Sequence, residues 1–107
     1  MRLDRIERRE EVLVDVIECE TQPDLRDAVF ECYTVDISQS GIKISGAERI
    51  PVDAVLDLRL DCSSAKFRLQ GRVRWSRGAH KHFIGLSLDD AKSPDMSAWA
   101  EMINAGS

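Results

Sequence analysis

The stretch VLDLRLDCSSAKFRLQGRVRW, residues 55–75, alternates apolar and polar side chains almost without a break. Three leucines between residues 56 and 60 fall on one side of an extended chain, and charged residues fall on the other. After Cys62 and two serines the alternation starts again and continues to Trp75. A period of two residues is typical of a strand with one buried face. The stretch therefore predicts two consecutive β-strands.

Alternating or β-branched runs recur on both sides of this stretch. They occupy residues 11–20, 28–37, 42–44 and 84–88, with turn-forming residues between them. Six short strands joined by turns favour a closed antiparallel barrel, because closure leaves no exposed sheet edge. The predicted fold class is mainly β, a small six-stranded antiparallel β-barrel.

A helix is predicted after the last strand. Ser93 is a good N-cap and Pro94 a good first helical residue. Apolar residues then recur with helical spacing at Met96, Trp99, Ala100 and Ile103. One apolar stripe on a terminal helix predicts that it covers an open end of the barrel.

Composition limits the class of protein. With 107 residues, 43% of them hydrophobic, the chain suits one domain with one modest core. The net charge is −4, yet residues 66–81 carry six Lys or Arg and no acid. Binding to DNA is disfavoured, because the acidic surface would also meet the polyanion. A small, doubly charged anion fits this distribution better.

The cysteine pattern and the lack of a long apolar run indicate a cytoplasmic protein without membrane insertion. Cys19, Cys32 and Cys62 are far apart and lack CxxC spacing, so neither disulfides nor a zinc site is expected. His80 and His82 have no further ligand nearby to complete a metal site. No run is long enough to span a bilayer, and no nucleophile and base stand at a suggestive spacing. We expect no enzyme activity, no metal and no cofactor.

Two short motifs suggest a ligand. Arg5 and Arg9 form an RxxxR spacing just before the first predicted strand, and DISQSG at residues 36–41 ends the second. A solvated charged head and an ordinary turn would explain each motif alone. With GRVRW at 71–75 and FIGL at 83–86, however, the ordered set resembles the PilZ family of bacterial cyclic di-GMP receptors. The resemblance covers roughly residues 5 to 90.

The resemblance implies roles for the arginines. Arg5 and Arg9 would clamp the phosphates and guanine edges, which suits the planar fork of guanidinium donors. Ile6 stands where many family members carry another arginine, and Arg8 is the candidate replacement. Asp4 occupies the position that influences whether one ligand or a stacked pair binds, so the stoichiometry stays open.

The remaining implied contacts come from the second motif and from Trp75. Asp36 would accept guanine N–H donors, and Ser38 would add a hydroxyl contact. Gly41 would allow a sharp backbone turn beside the ligand. Trp75 is the candidate for stacking on a guanine, although its phase with Phe67 and Val73 also suits burial in the core. The stripe of arginines at 68, 72 and 74 suits the wet side of a strand.

The predicted organisation is a flexible arm at 1–10, a PilZ-type barrel at 11–90, and a helix and tail at 91–107. The predicted function is a stand-alone receptor that binds cyclic di-GMP and relays its level to a partner protein. Two alternatives stay open. One is a degenerate PilZ module that binds only protein. The other is a small barrel that binds single-stranded RNA through Trp75 and the arginines.

Overall fold

The computed structural model describes residues 5–46, 49–62, 65–78 and 80–106, with side chains from residue 7 to residue 105. The described chain forms seven strands, one 3-10 turn and one α-helix. These are β1 (Arg5–Glu7), β2 (Glu11–Glu18), the 3-10 turn (Pro23–Leu25), β3 (Val29–Ser38), β4 (Gly41–Gly46), β5 (Val55–Cys62), β6 (Ala65–Arg77), β7 (His82–Leu88) and α1 (Met96–Gly106).

Six of the strands close into a barrel. Their order is β3-β2-β5-β6-β7-β4, every pairing is antiparallel, and β4 pairs back onto β3. The six-stranded barrel is therefore confirmed. The short β1 also pairs with β3, from Arg5 opposite Ser38 to Glu7 opposite Asp36. Thus the RxxxR segment begins beside the DISQSG segment.

The inward faces of the strands form one apolar core, as the alternation predicted. Val14, Leu58 and Leu69 are fully buried in it. Helix α1 contributes Trp99 and Ile103, which are also fully buried, and the Trp99 ring meets Phe67 edge-on at 5.3 Å. The predicted apolar stripe of the helix therefore completes the core.

The start of the helix differs from the prediction. Helix α1 begins at Met96, so Ser93 lies three residues before its first residue instead of directly before it. The Ser93 hydroxyl donates to the Asp89 carbonyl oxygen (2.6 Å) and accepts from the backbone N–H of Gln70 (3.0 Å). The Asp95 carboxylate accepts from the backbone N–H of Arg68 (2.7 Å). Both side chains fasten the connection to β6, since the connection packs against that strand before the helix starts.

The three cysteines are buried, and no disulfide joins them. Burial, and next the carboxylate of Glu10, raise the pKa of Cys62 to about 11. Within the described ranges, no three metal-ligating side chains cluster as an ion site. None of the described helices is long and apolar enough to cross a membrane.

Candidate functional site

Two β-bulges turn site residues to the outside of the barrel. The register of β3 shifts between Thr34 and Asp36, and that of β6 shifts between Val73 and Trp75. An extra residue reverses the alternation beyond it. Thr34 and Val73 are therefore buried, whereas Asp36 and Trp75 are only partly buried.

The strand register then aligns these residues in one row. Glu7 lies opposite Asp36, Asp36 opposite Lys43, Lys43 opposite Gly85, and Gly85 opposite Trp75. Directly opposed residues in a sheet lie about 5 Å apart, so the row runs across five strands. It lines an open groove of about 690 Å³, a volume in the usual range for small-molecule sites. Ser38, Gly41 and Arg74 also line this groove.

The Trp75 ring lies on the backbone of Gly85. A Cβ atom at residue 85 would lie 2.1 Å from the indole nitrogen of Trp75, so only glycine leaves room for the ring. The Arg77 guanidinium lies 4.7 Å from the ring centre and the Lys43 ammonium 5.8 Å from it. Trp75 is thus a partly exposed aromatic surface beside two cations, not a member of the interior cluster. This geometry suits a planar, anionic ligand.

The DISQSG turn is held by its own hydrogen bonds. The Ser38 hydroxyl accepts from the Gly41 N–H (3.0 Å) and donates to the Gly41 carbonyl oxygen (3.2 Å). Gly41 does not adopt positive φ; it is needed because a Cβ would lie 2.9 Å from the Leu86 carbonyl oxygen. The Trp99 indole donates to the Ser38 carbonyl oxygen (2.9 Å), which ties the turn to α1. The groove therefore has a rigid rim.

The three candidate arginines of the N-terminal arm, which we call the head (residues 1–10), lie in different surroundings. The Arg9 guanidinium stacks 4.2 Å from the centre of the Tyr33 ring. Tyr33 lies three residues before Asp36, roughly 10 Å along β3. Arg8 instead donates to the Glu10 carboxylate (2.9 Å). The backbone of Arg5 pairs beside the groove, while its side chain and all of Asp4 lie outside the described residues.

The structure thus brings Asp36, Ser38, Gly41 and Trp75 to one groove, whereas Arg8 and Arg9 are not among the residues that line it. Lys43 was not predicted as a site residue, and Arg74 was predicted only to face solvent. Arg74 is the extra residue of the β6 bulge, and its Nε donates to the Ser87 hydroxyl (2.7 Å) within the groove lining. A lysine between two buried isoleucines of β4 was the one available signal for Lys43.

Comparison with known proteins assigns the class. The family model described as the PilZ domain matches residues 6–103 of this chain. The chain belongs to the PilZ domain family, which confirms the resemblance. Domains of this family are non-catalytic and typically bind cyclic di-GMP, so the expectation that the chain is not an enzyme is also confirmed. No curated protein matches the chain.

Solved structures show the same fold. The chain superposes on the Bacillus subtilis inhibitor of motility, MotI/DgrA, with a TM-score of 0.73 and 14% identity over 94% of this chain. It spans about half, 48%, of that structure. The PilZ domain of CeSA from a cellulose synthesizing bacterium gives a TM-score of 0.62 and 14% identity, with 94% of this chain and 95% of that one covered. At such identity the similarity establishes the fold alone.

Proposed function

We propose that this chain is a cytoplasmic receptor that binds cyclic di-GMP in the Asp36–Trp75 groove and relays the nucleotide level to a partner protein. The observation that carries the proposal is the single outer row in which a carboxylate, a lysine and an indole ring follow one another. A guanine needs acceptors for its N–H groups and a surface for stacking, and its phosphates need cations.

Each group in the row has a chemical partner in the ligand. Asp36 accepts from the N–H groups of a guanine, because a carboxylate only accepts. Trp75 stacks on a base, and Lys43 and Arg74 face the phosphates. Ser38 and Gly41 shape the rim, since their polar atoms already bond each other.

The head supplies the remaining guanidinium groups. Arg5 is the first residue of β1, the strand that pairs beside Asp36, and Arg9 lies two residues beyond its end, so both enter the groove when the head, residues 1–10, rearranges around the ligand. Arg9 leaves the Tyr33 ring in this step, at a cost of about 0.5–1 kcal/mol for an exposed cation–π contact. Arg8 keeps Glu10 as its partner. The rearranged head changes the surface that a partner protein meets.

Calorimetric titration with cyclic di-GMP tests the proposal. We expect saturable binding that weakens at least about tenfold in Asp36→Ala and in Arg9→Ala, because each loses charge-assisted hydrogen bonds. Arg59→Ala is the matched control: Arg59 is an exposed arginine on β5, on the opposite side of the barrel, where it pairs with Asp15. Its affinity should equal that of the unmodified chain.

Absence of binding by the unmodified chain would contradict the proposal and favour a module that binds only protein. Titration with single-stranded RNA tests the other alternative. RNA binding whose affinity falls steeply with salt, without competition by cyclic di-GMP, would favour the RNA alternative.

A further inference from the structure

The barrel is divided into two oppositely charged halves. Strands β2, β3 and β5 are neighbours, and together they carry seven acidic residues and one arginine, a net charge of −6. Strands β4, β6 and β7 form the other half and carry six Lys or Arg and no acid, a net charge of +6. We call the outer faces of these halves the acidic wall and the basic wall. The Asp36–Trp75 groove lies mainly on the basic wall.

The acidic wall also carries exposed aliphatic side chains. Leu13 is 41% exposed, Ile17 39% and Val29 56%. Val29 lies opposite Asp15; Leu13 lies two residues before Asp15 on the same face of β2, and Ile17 lies two residues after it, at a register shift between β2 and β5. Diagonal neighbours on a sheet lie about 7–8 Å apart, so the three side chains form one patch. Exposed apolar patches with a polar rim typically mark interaction surfaces.

The acids around the patch are available to a partner. Glu11, Glu31 and Asp61 are exposed and make no ion pair with another described residue. Asp15, in contrast, already holds the Arg59 guanidinium at 2.5 Å. The Asp15–Arg59 pair is an example of the ion pair that a carboxylate of this surface forms with a basic side chain.

The negative charge of the acidic wall and the closure of the barrel limit which kind of molecule can bind this patch. An acidic wall repels nucleic acids and anionic membranes. Because the barrel is closed, β2, β5 and the paired part of β3 offer no free edge for an added strand. A second copy could bring its basic wall, but the fourth exposed large apolar side chain among the described residues, Val52, lies in a loop. No such side chain of the basic wall would cover Leu13 or Val29.

We propose that the acidic wall docks a basic, amphipathic segment of a partner protein. Aliphatic side chains of that segment cover Leu13, Ile17 and Val29, and flanking Lys or Arg side chains pair with the surrounding carboxylates. This inference extends the relay in the proposed function by naming the partner's chemistry and its place. Its test requires no nucleotide, so the two can fail separately.

The test is NMR titration of the ¹⁵N-labelled full chain with a synthetic helix that carries leucine on one face and lysine on the other. We expect saturable shifts at amides of β2, β3 and β5. The double variant Leu13→Thr/Val29→Thr should bind roughly tenfold more weakly or worse, since buried aliphatic contacts are lost. Threonine suits strands, so the fold is retained. Val52→Thr, an exposed valine away from the wall, is the control and should bind normally.

Several results would overturn the inference. Failure of the lysine helix to bind, or equally strong binding of a helix with glutamate in place of each lysine, would contradict the inference. Shifts centred on Trp75, or an unchanged affinity of the double variant, would also contradict it. Sedimentation that shows a dimer of the unmodified chain and a monomer of the double variant would assign the patch to a second copy. Cyclic di-GMP titration of the double variant reports separately on the proposed function.

Discussion

Replacement of Gly85 by alanine tests whether the Trp75 ring is the ligand surface. The added Cβ would lie 2.1 Å from the indole nitrogen and 2.2 Å from the adjoining ring carbon, whereas ordinary contacts begin at 3.4 Å. The ring must therefore move outward by about 1.3 Å, because carbon atoms do not approach more closely than van der Waals contact. The perturbation is small in volume but is aimed at one side chain.

The structure limits the cost in stability. Trp75 is only partly buried, so its ring can move toward solvent instead of straining the core. We expect Gly85→Ala to lower the free energy of unfolding by about 1–2 kcal/mol, the lower range for an overpacked site. Affinity should change more: stacking of a base on an aromatic ring contributes about 1–3 kcal/mol, or about 5- to 150-fold in Kd. Trp75→Ala sets the upper limit of that loss.

The assay is a double-mutant cycle measured by cyclic di-GMP calorimetry. If Gly85→Ala acts through the ring, it weakens binding alone but adds little to Trp75→Ala, since the group it displaces is already gone. Tryptophan fluorescence gives an independent readout, because Trp99 is fully buried and Trp75 is not. Emission of the Gly85→Ala chain should shift to longer wavelength and become more accessible to acrylamide.

The reasoning fails if Gly85→Ala binds the nucleotide with unchanged affinity while its fluorescence shows a displaced ring. It also fails if the two substitutions weaken binding additively, because that result would give Gly85 a role independent of Trp75. A chain that never binds cyclic di-GMP would leave the fluorescence shift intact and would contradict only the proposed function.

Three further predictions concern the frame around the groove. Trp99→Phe should lower the free energy of unfolding in urea by about 2–4 kcal/mol, because the Ser38 carbonyl oxygen loses its donor and the core gains a cavity; a loss below about 0.5 kcal/mol would contradict this. Ser76→Ala should leave stability unchanged or raise it by up to about 1 kcal/mol, since the Ser76 hydroxyl is buried without a hydrogen-bond partner among the described residues; a clear loss would point to a bound water. Above pH 9.0 the thiol of Cys62 ionises in the unfolded chain but stays protonated in the folded one, so stability should fall by up to about 3 kcal/mol as the pH rises to about 11. Cys62→Ala should flatten that decline, and an equal decline in both chains would refute the assignment.

The barrel could be predicted from the sequence because its strands alternate apolar and polar side chains. Alternation in residues 55–75 identifies which side chains of β5 and β6 face the core, and their burial follows it up to Val73 except at Asp57, an outward carboxylate that is buried and pairs with Arg68. The start of the helix was less predictable. Ser93 has the chemistry of an N-cap, but its hydroxyl bonds β6 instead, because tertiary contacts compete with local ones for the same group.

The site was harder to predict because two β-bulges determine which of its side chains face outward. By alternation alone, Asp36 would follow Thr34 to the inside and Trp75 would follow Val73 there. One inserted residue in each strand sends both outward. Neither insertion contains a glycine or proline that would mark it, so the motif indicated which residues belong to the site but not how they reach it.

The two bulges also explain why the groove lies where it does. Strands β4 and β7 lie between the bulged strands and keep a regular register with each other, so they present Lys43 and Gly85 directly between Asp36 and Trp75. A bulge in only one strand would leave a carboxylate or an indole facing the core, where an unpaired carboxylate is costly. The outer row therefore requires both irregularities at once. A regular barrel with the same composition would have the charges and the ring without the groove.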